Sequence, residues 1–224
     1  MNKDFWKLIF GKIKKDADEM TQFEKVSLLL RDLIVITILF FFVIRPLIIA
    51  GYVVPTPSME PTIMTGTKLI GMPLIYGGFI PFTSIKMPGI LPIKRQSIVI
   101  FKFPLNEKEY YVKRVIGLPG DTVEIIGKDV FVNGQKLDEP YTQHISEPIY
   151  EENPSLVRQN FGPIVVPKNC YFVLGDNRDN SYDSRVWGFV PKKNIFAMPL
   201  IIYWSYDREN KKIRVSELFK IITH

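Results

Sequence analysis

Hydrophobic residues fall into two patterns along this chain, and the change comes near residue 46. Ahead of it, "VSLLLRD" (26–32) and "LIVITILFFFVI" (33–44) give 19 residues in which only Ser27, Arg31, Asp32 and Thr37 are not apolar. About 20 such residues cross a bilayer as a helix, so the pattern predicts a transmembrane helix over 26–45. Arg31 and Asp32 then lie at the headgroup boundary, pair with each other, or mark a shorter buried helix. Pro46 disfavours helical geometry at Arg45, which predicts a helix end there and a first strand near Leu47. A cleavable secretory signal fits less well, because the run is long and begins well inside the chain. A buried globular helix is the competing reading.

Beyond residue 46 the runs are short, β-branched and aromatic: "SIVIF", "EYYVKRVIGL", "TVEII", "DVFVNG" and "NCYFVLG", divided by turn residues. Asn133-Gly134 is a hairpin signal, since both residues tolerate positive φ. "AMPLIIYW" (197–204) is too short to span a bilayer and reads as a buried strand. The prediction is a mostly β domain over 46–224 behind one amino-terminal helix, with no tandem repeat. Residues 71–95 combine Gly and Pro with Phe79, Phe82, Ile85, Ile90 and Leu91, too apolar for a solvated linker. They read as an irregular hairpin or insertion, either packed on the core or dipping into the membrane interface with Lys86, Lys94 and Arg95 on phosphates.

Charge orients this picture. Residues 1–32 hold seven Lys or Arg and six Asp or Glu. The basic residues weigh more in the positive-inside preference, so Lys12, Lys14, Lys15 and Lys25 favour a cytoplasmic segment 1–25 and an extracytoplasmic domain. The net charge of +6 suits anionic lipid or nucleic acid without choosing between them. The aromatic residues are scattered and form no nucleic-acid recognition motif, so no nucleic-acid partner is expected. One cysteine, Cys170, excludes an intrachain disulfide and any zinc site of two or more cysteines; two histidines make a multi-histidine metal centre implausible. A serine nucleophile here needs a base other than the usual histidine.

"VVPTPSMEPT" (53–62) places Pro55, Pro57 and Pro61 around Ser58 and stiffens the backbone on both sides of its hydroxyl. The plainer reading is a Pro-rich turn whose serine bonds local backbone. In "YYVKRVIGLPGD" (110–121), a strand puts Lys113 on one face with Tyr111 and Val115 and Arg114 on the other. Desolvation there lowers the lysine pKa and yields the neutral amine that a serine needs as a base. Arg114 cannot serve, because its guanidinium stays protonated. The plainer reading of Lys113 is an edge-strand lysine that blocks aggregation. In "LGDNRDNSYDSRVWGF" (174–189) the Arg residues interrupt calcium-loop spacing, so a turn laced by Asp-to-Arg pairs is more economical. Ser181 can orient Lys113, and Asp183 with Arg185 can hold the loop.

Taken in order, "PSMEPT", "YYVKRVIGLPGD" and "GDNRDNSYDSRVWGFVP" resemble the nucleophile, lysine and later structural boxes of bacterial type I signal peptidases. The resemblance runs from the anchor to about residue 205. It implies a membrane-anchored, mostly β catalytic domain in the bacterial cytoplasmic membrane that cuts signal peptides from exported preproteins after small residues of Ala-X-Ala type. It also implies Ser58 as nucleophile, Lys113 as general base, Thr56 with the Ser58 N–H at the oxyanion, Ser181 orienting the lysine, and Asp183 and Arg185 as loop supports. Val54, Met59, Ile63 and Tyr111 become candidates for the small-residue pocket, with core packing as the alternative for each. No cofactor or metal is implied; the partners are preproteins and membrane phospholipid. A catalytically silent preprotein-binding scaffold is the rival reading.

Overall fold

The computed structural model describes residues 21–80, 83, 85–144 and 160–222. It divides the chain into an amino-terminal unit ending at Ile44 and a second unit from Arg45 onward.

In the first unit, α1 (Gln22–Leu39) continues into a π turn, Phe40–Ile44, and the second unit opens on α2 (Arg45–Ile48). The helical run Lys25–Ile48 is the one among the described residues long and apolar enough to cross a membrane, and none of its most apolar stretch is buried in protein. Its 24 residues reach about 36 Å at roughly 1.5 Å per residue, more than a hydrocarbon core of roughly 30 Å. Arg31 and Asp32 pair at 2.8 Å, which neutralises the two charges. The helix does not stop before Pro46. Proline removes one backbone donor and crowds the preceding turn; here the turn before it widens to π geometry and helix resumes to Ile48. The first strand accordingly starts at Ala50, three residues beyond the expected Leu47.

Two sheets make up the second unit. The larger contains β1 (Ala50–Val54), β2 (Thr67–Met72), β3 (Ile98–Phe103), β4 (Asn106–Gly117), β9 (Cys170–Leu174), β10 (Val190–Pro191), β11 (Ile195–Asp207) and β12 (Lys212–Ile213). Its order is β1-β2-β11-β3-β4-β9-β10, with β12 on β11. The smaller contains β5 (Thr122–Ile126), β6 (Asp129–Val132), β7 (Gln135–Lys136) and β8 (Asn160–Val165), in the order β7-β6-β5-β8. The β6–β7 turn is the one expected at Asn133-Gly134, with φ of 53° and 78°. Pro199 sits in β11 at a register shift, where its missing N–H costs no regular ladder bond.

The β-branched runs fill three core clusters. Val54, Leu69, Ile100 and Ile202 meet in one, Val99, Phe101, Val115 and Ile195 in a second, and Val123, Val130, Phe172 and Leu174 in the third, under the small sheet. Cys170 is a free, half-buried thiol opening β9. Within 71–95, α3 (Pro73–Tyr76) buries Tyr76, and Phe79 stacks on Phe196. Ile85, Ile90 and Leu91 stay exposed. Two of the three cations expected to face phosphates are used inside the protein. Lys86 Nζ donates to the Lys192 and Ile195 carbonyls, each at 2.6 Å, and Arg95 bonds the Ile116 carbonyl and Asp121. Phe82 lies outside the described residues.

What matters for a site is that two strand edges stand open. Among the described residues β1 pairs only with β2. β4 pairs with β3 along Tyr110–Arg114 but meets β9 only from Arg114 onward, so its other edge up to Lys113 has no strand partner among the described residues.

Candidate active site

Between those edges lies a cavity of about 270 Å³. One wall is Val53–Thr56 at the end of β1, the other is Glu109–Lys113 of β4, and Ser58, Asn180 and Tyr182 complete it.

Ser58 is placed by a stiff turn. Thr56 is extended, Pro57 starts a single 3-10 turn through Met59, and the Glu60 N–H closes it on the Pro57 carbonyl at 3.0 Å. Pro57 suits that first position because its φ is preset and no N–H is needed there. From the opposite side Asn177 grips the same turn, its N–H donating to Ser58 O and its Nδ2 to Pro57 O, each at 3.2 Å. Ser58 is 6% exposed.

Lys113 reaches Ser58 across 55 residues of sequence: Nζ lies 2.5 Å from Oγ. It is 3% exposed. Burial pulls its pKa down to about 8; Asp183 and Asp176 pull it up, and Arg185 lowers it further. Thr56 Oγ1 stands 3.2 Å from Ser58 Oγ. A serine hydroxyl, an amine whose neutral form is accessible near neutral pH, and a second hydroxyl therefore converge at the floor of an open-edged cleft.

The loop behind the lysine is held by buried charges. Arg185 Nε and Nη2 donate to Asp183 Oδ1 and Oδ2, each at 2.9 Å. Burial would raise the Asp183 pKa, but the Arg185 charge and its hydrogen bonds outweigh that and hold it below the usual carboxylate range. Asp183 also accepts the Gly175 N–H and caps α4 (Ser184–Trp187) through the Arg185 N–H. Ser181 is buried beside Gly175, but its Oγ makes no direct hydrogen bond to Lys113. Gly175 has no room for a Cβ, which would collide with Ser181 Oγ and the Ser58 carbonyl.

The four expected pocket residues separate into two pairs. Val54 and Tyr111 line the cavity. Met59 and Ile63 do not; both are fully buried in the first core cluster, because the turn that presents Ser58 to the cleft directs the next side chain inward. Tyr111 stacks on Phe103 at 4.5 Å, which fixes its ring.

A family model described as signal peptidase, peptidase S26, matches residues 27–204, most of the chain. The chain belongs to this family. It is a serine peptidase of the kind that removes signal peptides. Signal peptidase I P of Bacillus subtilis subsp. natto is 35% identical over 176 residues, covering 78% of this chain and 88% of the relative. Signal peptidase I of Bacillus amyloliquefaciens is 33% identical, covering 88% and 98%. A crystal structure of a signal peptidase I from Enterococcus faecalis V583 aligns at 32% identity with a TM-score of 0.39, covering 49% of this chain and 98% of that one.

In this signal peptidase several site residues give no sign in the sequence. Arg114 forms a bidentate pair with Asp176, at 2.9 and 2.7 Å, and its guanidinium lies 3.7 Å from the centre of the Tyr141 ring. Asp176 also accepts from Thr62 at 2.6 Å, beyond the Ser58 turn. Glu139 holds Arg178 by two bonds of 2.9 and 2.6 Å. The local "GDNRD" composition marks a polar turn, but Glu139, Tyr141 and Thr62 are distant in sequence and only the fold brings them there.

Proposed function

We propose that this peptidase cleaves by a Ser-Lys dyad. Neutral Lys113 takes the Ser58 proton as Oγ attacks the scissile carbonyl, and the resulting ammonium donates that proton to the departing amine. Water deprotonated by the same lysine then releases the acyl group from Ser58. The Thr56 hydroxyl and the Ser58 N–H support the oxyanion. The observation that carries this reading is the 2.5 Å approach of the buried Lys113 Nζ to Ser58 Oγ inside the cleft.

The substrate is the signal-peptide segment of an exported preprotein, extended between the open edges of β1 and β4 so that main-chain bonds align it. Val54, Tyr111 and Val112 give the cleft apolar walls beside Ser58, and on this reading those walls select small side chains near the cut, of Ala-X-Ala type. Residues 1–25 lie in the cytoplasm and the β domain outside, with Ile85, Ile90 and Leu91 available to phospholipid. Matched preproteins carrying Ala-X-Ala or bulky-X-bulky signals test the function: wild type cuts the first and spares the second, and Ser58→Ala cuts neither. Equal cutting of both by wild type defeats the pocket assignment.

A further inference from the structure

Of the polar side chains that line the cleft beyond Thr56, Ser58 and Lys113, Asn180 is the buried one. Asn180 lines the cavity, is only 2% exposed, and neither its Nδ2 nor its Oδ1 has a hydrogen-bond partner among the described residues. Buried polar atoms are nearly always paired, because leaving them unpaired forfeits their hydration without return. An apolar residue of the same size would avoid that cost, so the amide calls for a partner that enters the cleft.

Its position is not accidental. Asn180 ends the turn Arg178–Asn180, its N–H bonded to Asn177 O at 3.2 Å. Arg178 at the head of that turn is held by Glu139, and its carbonyl accepts from Arg185 Nη2 at 2.6 Å. The amide is thus mounted on the same rigid loop that fixes the Ser58 turn through Asn177. A carboxamide offers one donating group and one accepting oxygen, the same pair that a peptide group offers in return.

We propose that Asn180 binds the main chain of the substrate peptide, its Nδ2 donating to a peptide carbonyl and its Oδ1 accepting from a peptide N–H. This rests on the reading of the cavity as the peptide cleft. Recognition of this kind is blind to side chains: it holds any extended segment while the apolar walls select the small residues.

The test uses the full chain in detergent micelles with a signal-peptide substrate. Asn180→Leu raises KM about tenfold, the loss of one or two hydrogen bonds, with kcat within about twofold and Tm unchanged or higher, since leucine leaves no buried polar atom unpaired. Asn180→Ala is measured beside it, so that the outcome does not depend on leucine fitting. A series of substrates with a single ester in place of each backbone amide near the cut then locates the contact. At one position the ester weakens binding to wild type several-fold and leaves Asn180→Leu unaffected. An unchanged KM overturns the proposal, as does a fall in Tm with kcat and KM affected together. A lower kcat with acyl-enzyme accumulating also overturns it, and assigns Asn180 to the hydrolytic water instead. Ser58→Ala runs alongside. If it still cleaves, the underlying mechanism fails; if it is inactive while Asn180→Leu keeps a normal KM, only the Asn180 assignment fails.

Discussion

Arg114 and Asp176 form a buried, two-bonded ion pair one residue beyond Lys113, at 2.9 and 2.7 Å, with neither side chain more than 1% exposed. The strand carrying Lys113 is thereby locked to the loop that grips Ser58 through Asn177. Breaking a buried pair by removing one partner leaves an uncompensated charge and costs about 3–5 kcal/mol. Asp176→Asn should lose stability of that order in denaturant unfolding, whereas the double change Arg114→Met, Asp176→Leu should lose much less. Asp176 also raises the Lys113 pKa, so any folded Asp176→Asn protein should show its acidic activity limb displaced to lower pH.

Activity should rise through about pH 8, the pKa to which burial brings Lys113, because only the neutral amine accepts the Ser58 proton. The limb belongs to kcat/KM of the free enzyme. A profile flat from pH 6 to 9 would speak against a lysine base.

Stability should follow the same group. The folded pKa of about 8 lies below the roughly 10.4 of an unfolded lysine, so between those values the unfolded chain binds more protons and stability rises with pH. Below pH 8 the buried ammonium costs on the order of 3 kcal/mol. Lys113→Met should therefore abolish cleavage while raising Tm at pH 7, and the gain should shrink toward pH 10. A lower Tm at pH 7 would show that Lys113 is not held at a desolvation cost.

Thr56→Val keeps the shape of the side chain and deletes the hydroxyl 3.2 Å from Ser58 Oγ. Losing one oxyanion donor costs about 10²–10³ in kcat, with KM little changed, and Thr56→Ser should restore most of the rate. Equal rates for Thr56→Val and wild type would remove Thr56 from the chemistry.

Gly175→Ala forces a Cβ against Ser181 Oγ and the Ser58 carbonyl. The backbone cannot yield cheaply on the Ser58 side, so Ser58 shifts; misplacement of a reacting group by about 1 Å costs roughly 10²-fold. Circular dichroism should be unchanged while kcat falls by that factor.

The sequence makes the apolar helix, the β character and the candidate pair Ser58 and Lys113 legible for different physical reasons. An uninterrupted apolar helix and an Asn-Gly turn are local signals, and Ser58 and Lys113 stand in motifs whose composition singles them out. Pro46 misleads because the helix, after a π segment over Phe40–Ile44, continues past the proline to Ile48, an adjustment that a propensity rule does not include. The family resemblance makes Met59 and Ile63 pocket candidates, but Met59, next to Ser58 in the 3-10 turn, and Ile63, beyond that turn, both pack fully buried in the first core cluster. Lys86 reads as a surface cation, yet two carbonyls from the Lys192–Ile195 turn capture it. Glu139 meets Arg178, and Asn180 meets the cleft, only through the tertiary fold, where no spacing rule reaches.

Trapping the acyl-enzyme tests the central claim most directly. The full-length protein is incubated at pH 8 with a slowly deacylated ester substrate, digested, and the adduct located by mass spectrometry. The account predicts an acyl group on Ser58 in wild type and none in Lys113→Met. An adduct on another residue, or one forming on Ser58 at the wild-type rate without Lys113, would contradict it.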